Sequence, residues 1–296
     1  MLNNETIAII GAGKLGVALA YAFSAAQLPV VVGSRNAQRA KTDLSEFTSN
    51  NLAVTSPNDA AKSASVILLT CADQDISLLC EQISSHINPG TVVTHCSGAL
   101  PSTLLNSAKH RGAHIASTHP LNTFPTLAAA VKLLSRNDHN TTVYAEGESS
   151  ALKRLEPLWQ LIGFEQKEIA TQAKTLYHAA CATACNYMTA TIDLSLDIAT
   201  AAGMKRNEFA ESLAPLLQAT LNNIKETGTL NSLSGPVARG DALTIKSHLE
   251  ALDSIEQGEE AVQLYRLLAR HALKMAEQKD LTKDQITELN NALKNS

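Results

Sequence analysis

The chain has 296 residues, with 24 Lys and Arg against 28 Asp and Glu, a formal net charge of −4. Hydrophobic residues make up 45% and charged residues 18%, which suits one large or two ordinary folded domains and argues against disorder. The slightly acidic balance, without a basic stripe or interleaved aromatics, excludes a nucleic-acid footprint, and no apolar stretch approaches the span of a bilayer. The first residues are polar, so no N-terminal targeting signal is expected. The five cysteines are odd in number and lack paired metal spacing, so they read as reduced thiols in a cytoplasmic protein with no metal.

In chain order, Thr6 to Ile10 is a short aliphatic strand that ends in Gly11, Gly13 and Gly16 and passes directly into a helix, Leu15 to Phe23. Strand, glycines, helix is the arrangement that holds a dinucleotide pyrophosphate. Gly11 permits the tight turn, Gly13 has no Cβ to block the phosphates, and Gly16 lets helix and strand pack closely. Gly11, Gly13, Lys14, Leu15 and Gly16 are therefore expected to bind cofactor at the helix N-terminus.

The second strand, Leu28 to Val32, runs into Gly33-Ser34-Arg35-Asn36 with no carboxylate at its tip. An acidic residue about 20 residues after the glycines would grip the ribose hydroxyl of NAD. A hydroxyl and a guanidinium there suit a 2′-phosphate instead, so Ser34, Arg35 and Asn36 predict NADP(H).

The alternation continues through strands at Asn51 to Thr55, Ser65 to Thr70, Thr91 to Thr94, His114 to Ser117 and Thr142 to Ala145. Helices are expected from Pro57, over Asp75 to Ile87 and over Thr126 to Leu134, and the unit closes near Phe164 to Ile169. This predicts an α/β domain over 1–168, a doubly wound parallel sheet of Rossmann type. From Thr171 onward strand signals vanish. Helical spacing recurs on a long segment through Leu176 and Leu196, then over Asn207 to Ile224, Asp241 to Leu252, Glu259 to Ala276 and Lys283 to Leu293. A smaller all-α domain over 169–296 follows, for substrate binding and dimerisation, because long apolar helices in so small a domain leave a face for a second copy.

A doubly wound sheet binds ligands beyond the carboxyl ends of its strands. Cys71 and Ala72 there should lie over the adenosine side of the cofactor, and His95 and Ser97 near the nicotinamide. His95 reads equally as a core histidine bonded to backbone, and Ser97 as the cap of a helix beginning near Pro101. His119, pinned by Pro120, is either a substrate contact or a loop anchor. On the first long helix of the second domain Lys174 and His178 share a face, one turn apart, and Asn186 lies two turns beyond His178. In partly dry surroundings a proton donor there is open to tuning. In Gly235-Pro236-Val237-Ala238-Arg239-Gly240-Asp241, Asp241 can cap the next helix and Arg239 fits a carboxylate clamp.

The segments GAGKLG, GSRN, HCSGAL, STHPLNTFP, YHAACATACNY and GPVARGD together resemble a family that pairs a Rossmann-like NADP-binding domain with a C-terminal domain long described only as of unknown function. That family is similar to the β-hydroxyacid dehydrogenase group, which includes ketopantoate reductase, 6-phosphogluconate dehydrogenase and pyrroline-5-carboxylate reductase, and some members have been proposed as alternative ketopantoate reductases. The resemblance implies a cofactor-dependent reductase. In the wider group a Lys followed one turn later by Asn usually sits on the first long helix of the second domain, whereas here Lys174 is followed by His178.

Together these features predict an NADPH-dependent oxidoreductase that transfers a hydride to the C=O or C=N carbon of a small carboxylate such as a 2-oxo acid. His178, expected to lie deeper in the apolar part of its helix, would donate the proton, or else Lys174. Asn186 and Ser97 would hydrogen-bond to substrate, and Arg239 or His119 would hold the carboxylate. A non-catalytic NADP-binding sensor, a deazaflavin-dependent reductase and, distantly, a metal hydrolase on His95, His114, His119 and His178 are the other readings.

Overall fold

The computed structural model describes residues 5–45, 51–124, 126, 128–129, 132, 141–256 and 258–294. Most of the helix expected over Thr126 to Leu134 lies outside these residues. The chain divides into two compact units, Met1–Ala182 and Thr183–Ser296.

The first unit is built on β1 (Ile7–Ile10), β2 (Val30–Gly33), β3 (Leu52–Thr55), β4 (Val66–Leu69), β5 (Val92–His95), β6 (His114–Pro120), β7 (Thr141–Gly147) and β8 (Phe164–Glu168). Among the described residues these form one sheet in the order β3-β2-β1-β4-β5-β6-β7-β8. Connecting helices are α1 (Lys14–Ala25), α2 (Ala37–Leu44), α3 (Pro57–Ser63), α4 (Ile76–Ser84), α5 (Asn106–Lys109) and α6 (Ser149–Leu161). The α4 helix is shorter than expected at both ends, since Asp75 falls in a separate 3-10 turn, Asp73–Asp75, and the helix stops at Ser84. Neighbouring strands are parallel except β6 and β7, which run antiparallel with His119 opposite Tyr144.

The inner strands carry unbroken apolar runs because both faces are covered. Successive side chains point to opposite faces, so β1 divides between two cores. Ile7 and Ile9 pack with Phe23 of α1 and Trp159 of α6. Ala8 and Ile10 pack with Ala60 of α3 and with Ile76 and Ile83 of α4. Trp159 lies 5.8 Å from Phe23 and stacks at 5.9 Å on Phe164, ring centre to ring centre. Removing such a ring costs about 3–5 kcal/mol.

After β8, a 3-10 turn at Thr171–Ala173 leads into α7 (Lys174–Cys181), which belongs to the first unit although its sequence begins the all-helical stretch. A π-helical turn, Ala182–Asn186, follows.

The second unit contains α8 (Tyr187–Ala201), α9 (Arg206–Ser232), α10 (Pro236–Arg239), α11 (Ala242–Asp253), α12 (Gly258–Ala276) and α13 (Lys283–Ala292). Its core gathers Val237, Ile245, Leu249, Val262, Leu273 and Leu289. Asp241 caps α11, accepting from the Thr244 amide at 3.0 Å as its position suggested. The Arg206 guanidinium forks onto Asp193 and Asp197 and ties α9 to α8. No residue of α9 is buried, and Leu216 and Leu221 stand exposed on it.

Candidate active site

The strand order reverses direction at β1 and β4, and the loops beyond their carboxyl ends enclose a cleft of about 410 Å³. Gly11, Ala12 and Gly13 line it from β1, Ser34, Arg35, Asn36 and Arg39 from β2 and α2, and Thr70, Cys71, Ala72 and Asp75 from β4. Gly11 has φ +120°, and a Cβ there would come within 2.8 Å of the Cys71 amide nitrogen. At Gly16 a Cβ would run into the Gly11 carbonyl oxygen, which accepts a 2.7 Å bond from Thr70 Oγ1. Around Gly13 the nearest atom to an added Cβ is 3.9 Å away, which leaves room above the first turn of α1. That turn has no side-chain cap and no acidic residue. The N–H groups at that helix start and the helix dipole therefore favour an anion. Lys14 lines an adjoining hollow of about 350 Å³ with Gly13, Arg39 and Asp43, whereas Leu15 packs against the core.

The rim after β2 is organised by its own residues. Ser34 Oγ accepts from the Asn36 amide at 3.2 Å, and Asn36 caps α2 by accepting from the Arg39 amide at 3.0 Å. Arg35 is exposed, and Arg39 meets Asp43 at 3.6 Å in an exposed pair, a type of contact that is weak. Two guanidiniums, Arg35 just before the N-cap of α2 and Arg39 in its first turn, thus border the cleft. Arg39 went unnoticed in the sequence, although a second arginine soon after Arg35, in the first turn of the next helix, was the available signal. These features fit a dinucleotide, with its pyrophosphate at the helix start. Burial pushes the Cys71 thiol up to about 11, so it stays protonated at this wall.

Beyond β5 and β6 a second set of polar groups gathers. His95 is fully buried, not facing a cleft. Its Nδ1 accepts from the Ser97 amide at 3.2 Å, so Nε2 carries the proton shared with the Pro101 carbonyl at 3.1 Å. Burial lowers its pKa to about 4. Ser97 Oγ donates to Asp73 at 2.7 Å and accepts from the amides of Ala99 and Leu100, so its hydroxyl shapes the loop. His95 thus bonds to backbone in the core, whereas Ser97 closes its own turn and does not cap the 3-10 turn Ser102–Leu105, whose N-cap is Pro101.

Lys174 is 1% exposed, and its Nζ donates to the Ser97 carbonyl at 2.8 Å and to Ser117 Oγ at 2.5 Å. Burial lowers its pKa, opposed by the charges of Glu146 and Asp73. The sequence expectation about depth is reversed here: Lys174 is buried, whereas His178 is half-buried. The reason is directional. Lys174 opens α7, and a helical side chain leans toward its own N-terminus, here against the 97–102 loop. Buried Glu146 on β7 holds that junction from behind, accepting from the Ser102 amide at 2.6 Å and from Thr171 Oγ1 at 2.7 Å.

Gly98 leaves a gap between two imidazoles. A Cβ there would lie 2.5 Å from His178 Cδ2 and 3.0 Å from His119 Nε2. The two rings meet edge to face at 5.9 Å. On its other side His119 Nδ1 lies 2.8 Å from the Tyr177 hydroxyl, and Tyr177 packs on Tyr144 at 4.8 Å. Burial, with Lys174 and His178 adding to it, lowers the His119 pKa to about 4. His119 is therefore uncharged at neutral pH and can offer a carboxylate a hydrogen bond but not a positive charge. Tyr177 and Glu146 were not singled out from the sequence, since strand pairing and helix docking create their contacts.

His114 lies at the opposite end of β6 from His119, bonded to Ser150, so the four histidines do not converge. Asn186 and Arg239 belong to the second unit. Asn186 is exposed at the end of the π turn, and Arg239 is exposed at the end of α10, where its carbonyl accepts from Gln285.

Residues 3–120 match the family model of a Rossmann-like domain, and residues 141–272 match that of a domain of unknown function, DUF2520. Among solved structures, protein TM1727 from Thermotoga maritima is 24% identical with a TM-score of 0.67, covering 92% of this chain and 98% of its own. BF3122 from Bacteroides fragilis, provisionally named an NADP oxidoreductase, is 19% identical with a TM-score of 0.74, covering 93% and 100%. Pyrroline carboxylate reductase from Plasmodium falciparum, with NADP bound, is 14% identical with a TM-score of 0.60, covering 93% and 100%. At these identities the likeness is one of fold.

Proposed function

We propose that this protein is an NADPH-dependent oxidoreductase that reduces the C=O or C=N bond of a small carboxylate, with 2-oxo acids such as ketopantoate and cyclic imines as the candidate substrates. The observation that carries the reading is the cleft at β1 and β4. An uncapped helix start, open above Gly13, faces a rim of Ser34, Arg35 and Arg39 with no acidic residue at the tip of β2. The likeness in fold to a reductase solved with NADP supports it.

When bound, NADPH would supply the hydride for the carbonyl or imine carbon. The chain's own residues deal with the other end of that bond. As the C=O or C=N π pair moves onto oxygen or nitrogen, His178 passes its proton to that atom across the gap at Gly98. General acid assistance of this kind contributes roughly 10²–10⁴-fold. Lys174 is held by Ser97 and Ser117, so its part is to fix the Ser97–Gly98 backbone and to add positive potential beneath it. We also propose that the exposed apolar residues of α9 pair with a second copy, because a long helix with no buried face is poorly supported alone. Among the described residues no helix is long and apolar enough to cross a membrane.

The test is an NADPH-oxidation screen over small 2-oxo acids and cyclic imines, run beside calorimetry with NADPH and NADH. Turnover with at least one substrate and tighter binding of NADPH are expected. Tight NADPH binding without any turnover would instead support the sensor reading.

A further inference from the structure

His119 has two nitrogens in different surroundings. Nδ1 meets the Tyr177 hydroxyl at 2.8 Å. Nε2 makes no hydrogen bond among the described residues and points at the space over Gly98, where a Cβ would sit 3.0 Å away. A phenol is a strong hydrogen-bond donor and a poor acceptor, and a neutral imidazole nitrogen is a strong acceptor. The stable pairing therefore sends the Tyr177 proton toward Nδ1 and leaves the ring's own proton on Nε2. Burial, together with the hydrogen-bonded Cys181 thiol, raises the Tyr177 pKa and keeps the hydroxyl protonated.

We propose that Tyr177 is a positioning residue that locks His119 as the Nε2–H tautomer, so that a neutral imidazole donates a hydrogen bond to the substrate oxygen or nitrogen over Gly98. This deepens the reductase reading and rests on it for the identity of the acceptor. His178 then delivers the proton, and His119 stabilises the charge that develops before the proton arrives. A donor that stays neutral suits this task, because it need not lose a proton to act. The atom it meets must carry a lone pair, as a carbonyl oxygen or an unprotonated imine nitrogen does.

The groups around His119 act together. Lys174, Tyr177 and His178 reach it from α7, Tyr144 faces it across the β6–β7 ladder, and Asp73 adds an opposing charge from the loop after β4. Positive neighbours disfavour a second proton on the ring, which keeps it neutral through the physiological range. Tyr144 and the Tyr177 ring pack together, so the hydroxyl can be removed while the ring contact stays.

The experiment is nitrogen NMR of histidine-labelled full-length protein at pH 7.5 without substrate, with the His119 signal assigned by its loss in His119→Gln. An unprotonated Nδ1 and a protonated Nε2 are expected. In Tyr177→Phe the two tautomers should mix. With the substrate found in the screen, kcat and kcat/KM should fall together by about tenfold, less than the ~10²–10³ typical of losing a whole oxyanion donor. NADPH affinity should not change. An Nδ1–H tautomer in the unmodified protein, a doubly protonated ring, or a tautomer unmoved by Tyr177→Phe would each overturn the proposal. None of those results depends on finding a substrate, so the reductase reading stands or falls separately.

Discussion

The glycine turn after β1 and the polar cluster around Gly98 both use a glycine to make room, yet they are built differently. At the turn the working atoms are backbone N–H groups, and the side chains that matter are the absent ones at Gly11, Gly13 and Gly16. At the cluster the working atoms belong to side chains from the loop after β5, the end of β6 and the start of α7, brought within hydrogen-bonding distance by strand pairing and helix docking. A backbone site is written in one short stretch of sequence. A side-chain site is written across several, and only its members show.

The largest effect that would break this contrast concerns the cluster. His178→Ala should lower kcat by roughly 10²–10⁴-fold with NADPH affinity unchanged in calorimetry. Undiminished turnover would remove His178 as the acid. Gly98→Ala is next. Its new Cβ would press on both imidazoles, and displacements of about 1 Å can cost ~10² in rate. Steady-state assays should show that loss, again with cofactor binding intact, and a parallel loss of NADPH binding would mean that the two regions are not separate.

At the cleft, the double variant Arg35→Ala with Arg39→Ala should weaken NADPH by roughly 10–100-fold, the loss of about 1.5–3 kcal/mol in total of charge-assisted hydrogen bonding at this exposed rim, and should leave NADH nearly unaffected. Equal weakening of both nucleotides would take the 2′-phosphate away from these arginines.

Stability against pH tests the buried histidines. His95 and His119 sit at about 4 in the folded chain against 6.5 for an unperturbed ring. As pH falls through 6.5 the unfolded chain takes up these protons first, so the stability these two rings contribute is fully present above that pH and is lost between 6.5 and about 4. The slope is about 1.4 kcal/mol per pH unit for each ring. Urea unfolding followed by the fluorescence of Trp159, the single tryptophan and a core residue of the first unit, reads it directly. His95→Gln should flatten the slope by one proton.

Much of the frame was readable before any coordinates. Alternating apolar runs and turns located the strands, the glycine spacing located the cleft, and Asp241 was recognisable as a helix cap because capping needs only residues a few places apart. The cluster was readable in part. Ser97, His119, Lys174 and His178 were picked out by type, but their depths and partners were not. Lys174 is the buried member because α7 begins against the 97–102 loop, a contact between segments some 77 residues apart in sequence. Tyr177 carried no local signal, since its partner His119 lies 58 residues away. The antiparallel return of β7, which sets Tyr144 opposite His119, also has no mark in either strand.

By itself the amino-acid order determined a nucleotide-type cradle at the start of an α/β sheet and a helical remainder, because turn chemistry, helix starts and apolar period act between near neighbours. Only the tertiary structure decided which nitrogen of His119 faces the gap, that His95 is sealed in the core, and that Lys174 rather than His178 lies beneath the Gly98 loop. Those outcomes follow from desolvation and from donors meeting acceptors across distant segments, and both come into being only when the chain has closed.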